Sequence, residues 1–259
     1  MAIITFMSDF GHRDPYVAAV KAKVSALFPN VNMFDISHDI EHYDIAHAAF
    51  VIRSVYNDFP KGTVHILSVN SLNRKNEKFI AAKIDDHYFV SADNGLLSLI
   101  TSKKAMAIVD INQEKIQSTF PARDIFAKAA VYLANGKNIY DLGPGLTEMK
   151  RLINRELSIT KDRIHGNVIH VDSYGNLITN IDKQVFEEIR EGRNFEVNVG
   201  RGHINRISNS YAEVEEGDIA VVFNSLDLLE IAINKGPASS LLGVSYDGVI
   251  TINFQYGII

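Results

Sequence analysis

The texture of the chain changes at about residue 155, and that change constrains the fold more than any single motif. Before it, apolar runs alternate with helical patterns. "AIITFMS" is a short continuous apolar run, as a parallel strand buried on both faces requires. Pro15 suits a first helical turn, and Val17, Val20, Val24 and Leu27 then recur at helical spacing. "VNMFDIS" reads as the next strand, and "DIAHAAFVIRSVYNDF" as a helix ended by Pro60 and Gly62. "TVHILSVN" is a third strand. "KFIAAKI" and "HYFVSA" form a hairpin around Asp85 and Asp86, and "GLLSLI" opens another helix. "RDIFAKAAVYLANG" is a helix with Gly136 as its C-cap. This βαβ alternation predicts a doubly wound, mostly parallel α/β sheet.

After residue 155 helical periods are scarce. "RIHGNVIHVDSYGNLITNI", "NFEVNVG", "INRISNSYAEV", "IAVVFNS", "LLEIAIN" and "VITINF" are short β-like runs between glycine and polar turns. They predict a small antiparallel barrel or sandwich. The expected division is a Rossmann-like α/β domain over 1–155 and a β-domain over 156–259, with the linker inside 143–157.

Composition narrows the chemistry. A formal charge of -5 over 259 residues gives no electrostatic reason to expect nucleic acid. Cysteine is absent, which excludes disulfides, a thiol nucleophile and thiolate metal sites. No apolar run approaches the roughly 20 residues of a membrane-spanning helix. "MAIITFMSDFG" lacks a basic n-region and meets an acid too soon for a signal peptide, so a cytoplasmic protein is expected.

Side chains at the carboxyl end of a parallel strand face the crevice where open α/β sheets bind ligands. Asp9 stands there. Its carboxylate suits both hydroxyls of a ribose, or else it caps the helix that follows. Gly11 permits close backbone approach. In "DISHDIEHYDIAH", His38, Asp39, His42, Asp44 and His47 raise the question of metal. Their spacing argues against it: His42 and His47 splay apart on a helix, and no H-x-H or H-E-x-x-H is present. A solvated helix start with Asp44 near its N-terminus is the plainer account, so no metal is expected. Tyr43 in the same loop suits stacking on a ring. "DSYGNLITNI" places Asp172, Tyr174, Gly175 and Asn176 on a turn. "FNSLDLLEIAINKG" holds Asn224, Ser225 and Asn234 between strands, and "TFPARDIF" puts Arg123 and Asp124 at a helix start. Asn176 carries the donor and acceptor that reading an adenine edge requires.

In order along the chain, "FMSDFGHRDPYVAAVKA", "HYDIAHAAF", "FPKGTVHILSV", "YFVSADNGLLSLI", "TFPARDIFAKAAVYLANG", "DSYGNLITNI" and "FNSLDLLEIAINKG" resemble the S-adenosylmethionine hydrolase, chlorinase and fluorinase family. The resemblance covers nearly the whole chain. It implies an α/β N-terminal domain, a β-barrel C-terminal domain and trimers with the ligand held between subunits. It also implies attack on the 5′ carbon of S-adenosylmethionine by hydroxide or halide, with no cofactor beyond that substrate. By that resemblance Asp9 holds the ribose hydroxyls, Asp14 lies near the methionine amino group, and Tyr43 packs beside the ribose. Asn176 reads adenine, Tyr174 and Tyr211 surround it, and Asp172 and Ser225 lie near the methionine end.

The nucleophile-handling residues depart from the family pattern. Hydrolases of the family carry an Asp-Arg-His set. Here Asn70 stands at the aspartate position, Glu77 at the arginine position by ungapped count, and Pro121 at the histidine position. The halogenase hydroxyl positions are Asn73 and Ala122. Arg74 and Lys75 are the nearest cations that could substitute. The sequence therefore leaves three readings: an adenosyltransferase, a catalytically weakened S-adenosylmethionine- or adenosine-binding relative and, remotely, a metal-dependent hydrolase.

Overall fold

The computed structural model describes residues 2–72, 77–101, 103–112, 116–153 and 155–255. The chain forms two compact units, Met1–Ile153 and Asn154–Ile259.

The first unit is built on strands β1 (Ile3–Ser8), β2 (Asn32–Ser37), β3 (Val64–Ser68), β4 (Phe79–Ile84), β5 (His87–Ala92) and β6 (Ala107–Asp110). Its helices are α1 (Tyr16–Leu27), α2 (Ile45–Arg53), α3 (Leu96–Ile100) and α4 (Ala127–Ala134). The strands run in the order β2-β1-β3-β5-β4-β6. The first four are parallel, and β4 is antiparallel to both of its neighbours. Alternation explains the apolar runs. Ile4 and Phe6 of β1, with Val64 and Ile66 of β3, pack against α1 and α4. Met7 and Leu67 face the other way, onto α2 and α3. With both faces covered, a strand has no polar side to show. The β4–β5 hairpin turns on Asp85 and Asp86, at φ 50° and 64°. Two positive φ values in a two-residue loop match the right-handed strand twist.

One strand of the first unit was not legible in the sequence. Strand β6 is only four residues long. The expected linker is not free either. Gly145 bridges Val109, Lys150 N–H donates to Asp93, and Leu152 N–H donates to Ser98 Oγ, so residues 143–153 are part of the first unit.

The second unit holds β7 (Ser158–Thr160), β8 (Arg163–Val171), β9 (Leu177–Asp182), β10 (Asn194–Val199), β11 (Gly202–Ile204), β12 (Ile219–Phe223), β13 (Leu228–Ile233) and β14 (Val249–Gln255). They make one antiparallel sheet in the order β11-β10-β14-β8-β9-β13-β12, with β7 beside β8. The sheet curls nearly into a barrel. Its end strands meet: a Cβ on Gly202 would lie 2.7 Å from Ile219 Cδ1, so that side chain would have to turn aside. Ile164, Val197, Ile250, Ile252 and Phe254 fill the interior at alternate positions. Helix α5 (Lys183–Arg190), capped by Asp182 onto Gln184 N–H, was missed in the sequence although Val185, Phe186 and Ile189 give it one apolar side that packs on the barrel core. A short α6 (Ala238–Leu242) follows β13. Among the described residues no helix is long and apolar enough to cross a membrane.

Candidate functional site

In the first unit the chain passes from β1 to β2 on one side and then crosses back from β2 to β3 on the other, so the winding reverses beside the carboxyl end of β1. Asp9 follows β1 at that point and is 8% exposed. It does not cap α1, whose N-terminus receives no side-chain bond. Instead Asp9 Oδ2 accepts the backbone N–H of Tyr43 at 3.0 Å and of Asn70 at 3.2 Å. These donors follow β2 and β3. Both stand at positive φ, 66° and 48°, a strained choice for residues with side chains. Asp9 Oδ1 takes neither of these two bonds.

The sequence reading missed what braces Asp9. Ser8 Oγ bonds His38 Nδ1 at 2.7 Å, and the His38 carbonyl accepts Gly11 N–H at 2.8 Å. His38 thus grips the chain on both sides of Asp9. Its Nε2 lies 3.3 Å from Asp35 Oδ1 but off the hydrogen-bond direction. Burial pulls the His38 pKa down against the opposing pull of Asp35. Asn94, also missed, donates to the carbonyls of Val69 and Asn70 and so fixes the loop that supplies the second donor. A buried polar residue after a strand was the available signal in both cases.

The acid and histidine cluster disperses. His38 is buried, Asp44 caps α2 by accepting His47 N–H at 2.9 Å, and His47 Nδ1 accepts Glu41 N–H. Among the described residues no group of three or more histidines and acids could hold a metal ion. Asp14 and Tyr43 are exposed, in the segments that follow β1 and β2.

The altered positions are placed as follows. Asn70 serves through its backbone, as above. Glu77 is half-buried just before β4. Pro121 opens a π-helical turn, Ala122–Phe126, that runs directly into α4. Its neighbour Phe120 packs edge-on against Phe10 and Tyr16 at 5.7 and 5.6 Å, which brings this segment to the Asp9 loop. Ala122 is fully buried in the core. Arg123 and Asp124 pair with each other. Asn73, Arg74 and Lys75 lie outside the described residues.

In the second unit a cavity of about 680 Å³ is lined by Asp172, Tyr174, Asn176, Tyr211, Asn234 and Pro237, among others. Five residues singled out from the sequence, Asp172, Tyr174, Asn176, Tyr211 and Asn234, therefore line one cavity. Ser225 does not line it and sits exposed on the β12–β13 turn. The wall is braced by Glu230, 3% exposed, which the sequence reading passed over. Glu230 Oε1 accepts the Tyr211 hydroxyl at 2.8 Å, and Oε2 accepts Asn224 Nδ2 at 3.1 Å. Burial and that carboxylate push the Tyr211 pKa up to about 12. Asn224 Oδ1 in turn accepts Leu226 and Leu228 N–H and closes the turn that carries Ser225. An acid inside the apolar run "LLEIAI" was the sequence signal for Glu230.

Residues 4–143 match the family model for the SAM hydroxide adenosyltransferase N-terminal domain, and 166–251 match that for the C-terminal domain. The chain is 30% identical to the (R)-S-adenosyl-L-methionine hydrolase of Methanocaldococcus jannaschii, over 94% of this chain and 93% of that one. It is 29% identical to the protein of the same name from Thermus thermophilus, over 94% and 96%. Among solved structures, an uncharacterized conserved protein from Thermotoga maritima superposes with a TM-score of 0.89 at 31% identity, covering 96% of this chain and 99% of that one.

Proposed function

The chain belongs to the SAM hydroxide adenosyltransferase family, and on that premise we propose that it transfers the adenosyl group of S-adenosylmethionine to water or another small nucleophile. With water, a C5′–O bond forms as C5′–S breaks. The electron pair goes to sulfur and the proton passes to solvent. The products are adenosine and methionine; another nucleophile gives a 5′-substituted adenosine. The observation that carries this reading is Asp9: a buried carboxylate at the reversal point of the sheet, with one oxygen fixed by two loops and the other left for a ribose. Asp14 takes the methionine amino group and Tyr43 the ribose face. Asn176, Tyr174 and Tyr211 hold the adenine, with Asp172 and Ser225 towards the methionine end.

A sulfonium already carries an activated carbon and leaves as a neutral thioether. Orientation and desolvation can supply much of the rate without a strong base. One observation favours a second reading, a relative that binds S-adenosylmethionine or adenosine but has weak chemistry. Pro121, at φ -56° and ψ -35°, starts a helix where a histidine belongs, and offers neither a base nor an N–H.

Incubation with S-adenosylmethionine, with and without halides, followed by chromatography separates the two. Adenosine formation supports transfer. Adenosine binding with no product supports the second reading, and absence of binding at millimolar ligand sinks both. The variant Asn70→Asp, Glu77→Arg, Pro121→His should raise adenosine formation, by up to the 10²- to 10⁴-fold typical of acid–base assistance. The same reading has the protein working as a cytoplasmic homotrimer, with ligand shared between subunits and no metal or other cofactor. Light scattering that reports a monomer at micromolar concentration contradicts the assembly.

A further inference from the structure

We propose that Asp172 is a positioning residue that makes the cavity of the second unit select a 6-amino purine over a 6-oxo purine, by fixing which way round the Asn176 amide stands. This rests on the reading of Asn176 as the residue that meets the adenine.

An asparagine amide has two orientations of the same shape, with oxygen and nitrogen exchanged. Left to solvent, it offers a ligand either one. Here Asn176 Nδ2 lies 3.0 Å from Asp172 Oδ2. A carboxylate only accepts, so the reversed amide would set oxygen against oxygen. The carboxylate is itself held. Asp172 Oδ1 accepts the backbone N–H of Tyr174 at 2.9 Å and of Asn176 at 2.8 Å. The loop closes on Gly175 at φ +83°, packed so tightly that a Cβ there would lie 2.8 Å from Pro237 Cβ. Backbone fixes carboxylate, and carboxylate fixes amide.

One Nδ2 hydrogen is used on Asp172. Asn176 Oδ1 and the second Nδ2 hydrogen remain, on a side chain that lines the cavity. That pair matches adenine, whose 6-amino group donates beside a ring nitrogen that accepts. A 6-oxo purine presents an acceptor at position 6. It meets Asn176 Oδ1 as acceptor against acceptor, and a buried polar mismatch of that kind is what gives large discrimination.

The variant Asp172→Asn tests the chain of control. Its Oδ1 can keep both backbone N–H bonds, while its Nδ2 now faces Asn176. Donor against donor turns the Asn176 amide over and presents nitrogen to position 6. Titration calorimetry on the whole protein uses adenosine, inosine and the purine riboside that lacks any 6-substituent. The wild type should bind adenosine tightest, the unsubstituted riboside next and inosine weakest, with about tenfold or more between the extremes. Asp172→Asn should cut the adenosine-to-inosine ratio by about tenfold, to unity or beyond, and Asn176→Ala should bring it near one. A folded Asp172→Asn protein, judged by circular dichroism, that keeps the wild-type ratio overturns the proposal and leaves the functional reading standing. If that variant does not fold, the wild type decides alone: inosine bound as tightly as adenosine overturns the proposal. A wild type that binds none of the three at millimolar concentration overturns the proposal and the reading together.

Discussion

Asp9 and Asp172 are solved in the same way and built in opposite ways. Each carboxylate accepts two backbone N–H groups. For Asp172 the donors lie two and four residues ahead, within one turn. For Asp9 they lie 34 and 61 residues ahead, on loops after two other strands. The first arrangement is local and forms wherever the turn forms. The second exists only when β1, β2 and β3 are aligned. Asp9 is therefore a lock across the ends of three strands, whereas Asp172 is a lock on its own loop. Losing either should reveal that difference in what else fails.

The largest effect is expected at Asp9. Asp9→Ala removes the carboxylate that accepts the N–H groups of Tyr43 and Asn70 at a part-buried place, each bond to a charged acceptor being worth about 1–2 kcal/mol. Urea unfolding should show a loss of roughly 2–4 kcal/mol, and the thermal shift produced by adenosine should vanish. A variant as stable as the wild type would mean that the two loops hold themselves and that the contrast drawn above is false.

Gly175→Ala comes next. It places a side chain at φ +83° and 2.8 Å from Pro237 Cβ. A cost of about 1–3 kcal/mol is expected by the same unfolding measurement. Adenosine affinity should fall with it, since the turn carries Asn176. An unchanged affinity would separate the turn from the reader.

Glu230→Gln is a smaller perturbation, read by ultraviolet titration of the phenol with Tyr211→Phe as the subtraction. The Tyr211 pKa is raised from 10.0 to about 12. A raised pKa means stabilisation that is whole below pH 10 and disappears as pH climbs to about 12. With the amide in place of the carboxylate, ionisation should move back towards 10, and the alkaline loss of stability, which still begins near pH 10, should be smaller. A phenol that still ionises near 12 would assign the shift to burial alone. Asp14→Asn should be the mildest. Asp14 is exposed, so stability should change by less than about 0.5 kcal/mol, while affinity for S-adenosylmethionine falls and that for adenosine does not.

The sequence by itself determined the two textures, because they follow from period. Ile4 and Phe6 against Met7 required a strand covered on both sides, and the alternation around Ile250, Ile252 and Phe254 required one face in and one face out. It also determined the Asp172 turn, since D-S-Y-G-N carries its own donors and its own glycine. Strand β6 escaped because four residues make no period, whereas helix α5 carried a readable one in Val185, Phe186 and Ile189 that was passed over among its charges. What only the tertiary structure decided is which distant atoms meet. His38 gripping both sides of Asp9, Glu230 joining Tyr211 to Asn224, and the use of Asn70 through its backbone all depend on strand order. The physical reason is range. A turn is fixed by torsions within four residues, so its residues announce it. A contact across 61 residues is fixed by the packing of every element between, and no local pattern carries that information.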